Sequence, residues 1–184
     1  MKITSSKMPI PTKGKQALNI VQLLDGSPYA EKFVGGTALS CVLMPNTYHR
    51  YHSPVGGKIV EAKVIDGVFF GHPDFPHWVP ASGNVGYDTD FSPFEDFQRG
   101  YLIADTGKYG HVAIVPVGLN TISSVIFQDK FLNLSDPVPV TRGDELGHFL
   151  YGGSLVILIF EPGAYTSDAV QVRLGNQIGT FDSK

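Results

Sequence analysis

Cys41 is the only cysteine in the 184-residue chain, so no internal disulfide framework can hold the fold, and a reducing, cytoplasmic compartment suits it. Its neighbours Val42 and Leu43 favour a core thiol over a nucleophile. Charge is also scarce. Only 17% of residues are charged and the formal net charge is −3, which lacks the basic excess of a general nucleic-acid binder. With 42% hydrophobic residues, the chain has the material for a core and is not of disordered composition. No apolar run approaches the roughly 20 residues that cross a bilayer, and the first residues lack a signal-peptide core. Heptads and low-complexity tracts are absent too.

What the chain does have is punctuation. Its 21 glycines and 13 prolines are spread along the whole length, and short β-branched segments lie between them. Lys58–Ile65, His111–Val117, Ile122–Phe127, Leu155–Phe160 and Ala169–Leu174 are predicted strands. The spacing predicts a single all-β domain over residues 1–184, with many turns. Helical periodicity is confined to Ala17–Leu24, where Ala17, Ile20, Val21 and Leu24 share a face. Ser53-Pro-Val-Gly-Gly-Lys-Ile and Val140-Thr-Arg-Gly-Asp-Glu-Leu look like the strand opening and edge turn of a biotinyl- or lipoyl-like hybrid sandwich, or a barrel-like relative. A carrier role would also need that family's exposed lysine motif, which is missing. Gly67–Gly100 is long, irregular and rich in aromatic and acidic residues, including His72, His77, Trp78 and Phe91. It reads as a lid or pocket wall as readily as a decorative loop.

Two places could carry chemistry. Tyr151-Gly152-Gly153-Ser154 is a small-residue elbow before the six apolar residues Leu155–Phe160. Held rigidly on a Gly-Ser link, Ser154 could attack the carbonyl before it; a plain glycine turn before a core strand is the other reading. Tyr48-His49-Arg50-Tyr51-His52-Ser53-Pro54 sets two histidines three apart. On a straight strand they face opposite ways, and on a tight loop they converge. Imidazoles suit proton transfer, although a structural or surface role stays open on spacing alone. No third metal ligand stands at a recognisable spacing, so no metal is expected.

Tyr-His-Arg-x-His-Ser-Pro-Val-x-Gly, followed about ninety residues later by Arg-Gly-Asp-Glu-Leu-Gly-x-Phe-x-x-Gly-Gly-Ser, resembles the phosphatidylserine decarboxylase family. The likeness runs from about Lys13 to about Phe160. Lys13-Gly14-Lys15 with Leu23-Leu24 resembles the family's entry segment, Phe33-Val34-Gly35-Gly36-Thr37 its F-x-G-G strand, and Val115-Pro116-Val117-Gly118 its V-x-V-G. The Gly-Gly-Ser form is similar to a soluble branch that includes fungal aromatic amino-acid decarboxylases.

The resemblance implies a self-cleaving proenzyme. Cleavage at Gly153-Ser154 would leave a β-chain part, 1–153, and an α-chain part, 154–184, whose Ser154 becomes a covalent pyruvoyl cofactor. That ketone would form a Schiff base with a substrate bearing a primary amine and a carboxylate, either a phospholipid head group or a small molecule. By resemblance His52 is the base of self-cleavage, and His49 is the group implicated in decarboxylation. The substrate-binding residues are not implied. A lipid substrate would make the protein peripheral to a membrane, and a homo-oligomer is open.

Two positions depart from the family's pattern. The twelve residues before Lys13 hold no aspartate, and Thr47 stands where the family commonly has one. These departures remove the carboxylates that usually orient the histidines and predict slow or absent maturation of the chain as it stands. Two alternatives to the lipid enzyme therefore stay open: a soluble aromatic amino-acid decarboxylase, and an unprocessed decarboxylase-like binding module.

Overall fold

The computed structural model describes residues 3, 5–6, 9–11, 17–43, 47–67, 98–118, 124–150, 154–167, 177 and 179–181. Its centre is strand β11 (Ser154–Phe160), buried along its whole length. It pairs antiparallel with β3 (Thr37–Leu43) on one side and β7 (His111–Gly118) on the other. Beyond β7 come β6 (Arg99–Asp105), β5 (Gly57–Ile65) and β9 (Val138–Val140), which complete a six-stranded sheet in the order β3-β11-β7-β6-β5-β9. A strand with neighbours at both edges and layers on both faces needs apolar residues at every position. The unbroken run Leu155–Phe160 meets that need.

Side-chain alternation sorts this run into two cores. Leu155, Ile157 and Ile159 pack with Tyr101, Ile103, Ala113, Val115 and Val117, beneath Ile20, Leu23 and Phe33. Val156, Leu158 and Phe160 face the other way, toward Tyr51, Val125, Phe127, Leu146 and Phe149. These last residues belong to a three-stranded antiparallel sheet in which β10 (Glu145–Leu150) lies between β4 (Arg50–His52) and β8 (Ser124–Phe127). The fold is all-β, a small sheet packed on one face of a large one. Among the described residues two two-stranded ribbons are also present, β1 (Pro9–Pro11) with β2 (Ala17–Asn19), and β12 (Thr166–Ser167) with β13 (Gly179–Thr180).

The predicted helix over Ala17–Leu24 is shorter than expected. Asn19 Oδ1 accepts from the Gln22 N–H at 3.0 Å, and Gln22 Oε1 accepts from the Asn19 N–H at 3.1 Å. This capping box starts the helix α1 at Ile20 and ends the preceding strand. Val21 faces solvent, and Leu23 takes the buried place expected of it. Phe33–Thr37 also differs from the expected strand: residues Ala30–Phe33 form a 3₁₀ turn, closed by Val34 N donating to Glu31 O at 3.3 Å, a further turn follows in which Gly36 N donates to Phe33 O at 3.0 Å, and β3 begins only at Thr37. The proposed lid lies outside the described residues from 68 to 97, as do predicted strand Ala169–Leu174 and elbow residues Tyr151–Gly153.

Candidate functional site

Ser154 opens β11, paired with Leu43 of β3 and Gly118 of β7. Every second side chain of a strand lies on the same face. Ser154 therefore shares its face with Val156, Leu158 and Phe160, the face that the small sheet covers. The residue is fully buried, and among the described residues its Oγ has no hydrogen-bond partner.

The histidine segment belongs to that small sheet. β10 runs from Glu145 to Leu150, and in the sequence only residues 151–153 stand between it and Ser154. Antiparallel β4 sets His52 across from Glu145, at the start of β10, and Arg50 across from His148. The Phe149 N–H donates to the His49 carbonyl at 2.9 Å. His49 thus lies beside the strand end that leads into the elbow. His52 is about 10 Å farther along, at 3.3 Å per residue. Both histidines and Ser154 are carried on the two facing layers.

Each imidazole is held by a main-chain carbonyl. His49 Nδ1 meets the Thr47 carbonyl at 2.5 Å, and His52 Nδ1 meets the Gly143 carbonyl at 2.8 Å. The ring of Tyr48 stacks on that of His52, with centroids 5.7 Å apart, and its hydroxyl lies 2.8 Å from His52 Nε2. The expectation that these rings lack orientation did not include the two carbonyl contacts. Sequence reasoning missed both partners, since every residue carries a carbonyl. The participation of Tyr48 was missed as well.

The remaining residues of the two motifs fasten the layer. Arg50 is ion-paired with Glu145 on the next strand. Tyr51 is buried and donates its hydroxyl to the Ile126 carbonyl at 2.6 Å. Burial, helped by the negative charge of Glu145, pushes the Tyr51 pKa far up, so the phenol stays neutral. Gly147 lies directly under this bond. A Cβ there would fall on the Ile126 carbonyl oxygen and the Tyr51 hydroxyl, which explains glycine at that point of Arg-Gly-Asp-Glu-Leu-Gly.

The turn before β10 is built by its own residues. The Asp144 carboxylate accepts from the Thr141 N–H at 2.8 Å and from the Thr141 hydroxyl at 2.7 Å. These two bonds, the main-chain one first, hold the Asp144 carboxyl below its ordinary pKa. Gly143 adopts φ +93°, a left-handed conformation open to glycine without strain. Cys41, on β3 opposite Val156, is part-buried, and burial raises its thiol pKa above the usual 9.0. Among the described residues no helix is long and apolar enough to cross a membrane.

Comparison with known proteins agrees with this arrangement. The family model described as phosphatidylserine decarboxylase matches residues 2–180. The chain is 32% identical over 154 residues to phosphatidylserine decarboxylase proenzyme 3 of Schizosaccharomyces pombe, a match covering 84% of this chain and 14% of that protein. It is 34% identical over 132 residues to the phosphatidylserine decarboxylase proenzyme of Fusobacterium nucleatum, covering 72% of this chain and 39% of the relative. A match to the Anoxybacillus flavithermus proenzyme, at 28% identity over 188 residues, covers 99% of this chain and 63% of the relative. The chain spans less than two thirds of the length of each of these relatives. With the family match running through both sheets, the histidine segment and Ser154, the chain belongs to the phosphatidylserine decarboxylase family.

Proposed function

We propose that the chain is a proenzyme that cuts itself between Gly153 and Ser154, then serves as a pyruvoyl-dependent decarboxylase acting on the serine head group of a phospholipid. One observation carries the reading: the Ser154 hydroxyl is buried, faces the layer that holds the histidines, and has no partner among the described residues. An unpaired buried hydroxyl costs about 1–3 kcal/mol, a cost that calls for an explanation such as chemical use of the group. Support for the phospholipid comes from the family match and from the names of the relatives.

Self-cleavage begins when Ser154 Oγ attacks the carbonyl carbon of Gly153. The new O–C bond replaces the C–N bond, the hydroxyl proton passes to a base, and the freed nitrogen takes up a proton to leave as an amine. His52 is the base in this reading. Loss of the Cα proton from residue 154 then expels the Gly153 carboxylate, and water displaces the nitrogen as ammonia. The site fits a group made in this way, because its precursor hydroxyl is already enclosed between two apolar layers. A pyruvoyl ketone there supplies an electron sink for the pair left behind when carbon dioxide departs. His49 returns a proton to the substrate carbon, and the surrounding side chains keep bulk water out.

Intact-mass measurement of the purified chain, fresh and after days of incubation, tests the proposal. Fragments 1–153 and 154–184 are expected, the smaller lacking a free amino terminus. Incubation of the cut protein with phosphatidylserine in detergent micelles should then release carbon dioxide. A break at another bond, or a chain that stays whole, overturns the maturation step. Release from free tryptophan but not from the lipid overturns the substrate.

A further inference from the structure

The turn that ends at Asp144 does more than join β9 to β10. We infer that Asp144 is a positioning residue for His52, acting through the main-chain carbonyl of Gly143. The inference rests on the reading of His52 as the base of self-cleavage.

Three groups of contacts build the device. Asp144 draws the turn closed by accepting from both the N–H and the hydroxyl of Thr141. The turn is then tied to the residue after His52 by a reciprocal pair. Ser53 N donates to Asp144 O at 2.8 Å, and Gly143 N donates to Ser53 O at 2.8 Å. With its N–H so engaged, Gly143 presents its carbonyl oxygen 2.8 Å from His52 Nδ1.

A carbonyl oxygen can only accept, so Nδ1 carries the proton. In the neutral ring the lone pair must then be on Nε2. The Tyr48 hydroxyl at 2.8 Å can donate to that lone pair, and its ring, tilted by only 21°, holds the imidazole flat. A base works only through the nitrogen that bears its lone pair. The turn therefore decides which nitrogen of His52 can take a proton, and among the described residues it does so without a carboxylate touching the ring. In another serine–histidine site, a wrong imidazole tautomer lowers the rate by about 10⁴-fold.

The test reads the tautomer directly. The full chain carrying Ser154→Ala, labelled with ¹⁵N, is examined by two-bond proton–nitrogen correlation above the pH at which its histidines titrate. The His52 signals are identified by their loss in His52→Gln. His52 should show a protonated Nδ1 and a bare Nε2, the tautomer that imidazole in water disfavours. Adding Asp144→Ala should return His52 to the Nε2-protonated form while His111 signals stay in place. Asp144→Asn, which keeps one acceptor oxygen for Thr141, should retain more of the original tautomer and guards against a misfolded alanine variant. A proton on Nε2 in the parent, or a tautomer unmoved by Asp144→Ala, overturns the inference and leaves the cleavage assignment standing. With Ser154 intact, Asp144→Ala should slow cleavage by at least about 10-fold and by no more than the 10²–10⁴ that a general base supplies. If His52→Gln cuts as fast as the parent, the role of His52 as base fails, whatever the tautomer.

Discussion

Ser154 and Gly118 are direct partners across β11 and β7, so the flank of the serine on that side is bordered by backbone alone. The other flank is Leu43, at the end of β3. Pairing at both edges fixes the register of β11, and a slip by one residue would turn the hydroxyl to the opposite core. The aim of Ser154 is thus set by the whole large sheet.

Ser154→Ala should leave the fold intact and the chain uncut. Replacing a buried, unpartnered hydroxyl with a methyl group removes a desolvation cost, so stability should hold or rise by about 1 kcal/mol. Thermal melting of the variant beside the uncut parent checks this, with an expected rise of up to about 2–4 °C for a domain of this size. A clear drop in melting temperature would mean that the hydroxyl is bonded within the fold.

Gly147→Ala should loosen the small sheet. The added Cβ meets the Ile126 carbonyl oxygen and the Tyr51 hydroxyl, so either the β10–β8 pairing or the bond from Tyr51 to Ile126 must give way. Overpacking of this kind costs about 1–3 kcal/mol. Urea unfolding should show the loss as a lower midpoint. An unchanged midpoint would mean that β10 can move away from β8 at no cost.

The parts of the fold legible in the sequence are those where one physical demand acts alone. Leu155–Phe160 is uniformly apolar because β11 is covered on both faces, and Gly143-Asp144 marks a turn because the backbone there is left-handed. Strand β3 mixes Thr37, Ser40 and Cys41 with apolar residues, and β6 opens with Arg99-Gly100. Neither pattern rises above that of a loop, and pairing with β11 and β7 makes them strands. Ala17–Leu24 has helical spacing, yet the side chain of Asn19 captures the Gln22 N–H and delays the helix. At the candidate site, Ser154, His49 and His52 were singled out by motif alone. Their carbonyl partners were not, since main-chain acceptors leave no mark in a sequence.

Cys41 should react slowly with alkylating agents. Burial raises its pKa above the usual 9.0, so at pH 8 little of it is thiolate, the reactive form. Alkylation by iodoacetamide, followed by mass, should run at least about 10-fold slower in the folded protein than in denaturant. Equal rates would show that β3 opens freely at the edge of the large sheet, and the pairing of Leu43 with Ser154 would open with it.

Acid should release the turn that holds His52. The Asp144 pKa is lowered in the folded protein by its bonds to the main chain and hydroxyl of Thr141, with a smaller contribution from the charge of Lys130. A depressed carboxylate stabilises the fold at pH above its unfolded value, about 3.9, and that contribution is lost as pH falls through the folded value. The turn should therefore be intact from neutral pH down to about 4 and loosen only below. Because the amide of Thr141 donates to this carboxylate, its proton resonance reports the event: a single titration is expected below pH 4, moving toward the shift of an unbonded amide. Asp144→Asn should abolish the titration and leave other amides of β10 unmoved. A midpoint at or above the ordinary carboxylate value would show that Asp144 gains nothing from Thr141, and the turn would then have to be held by the Ser53 pair alone.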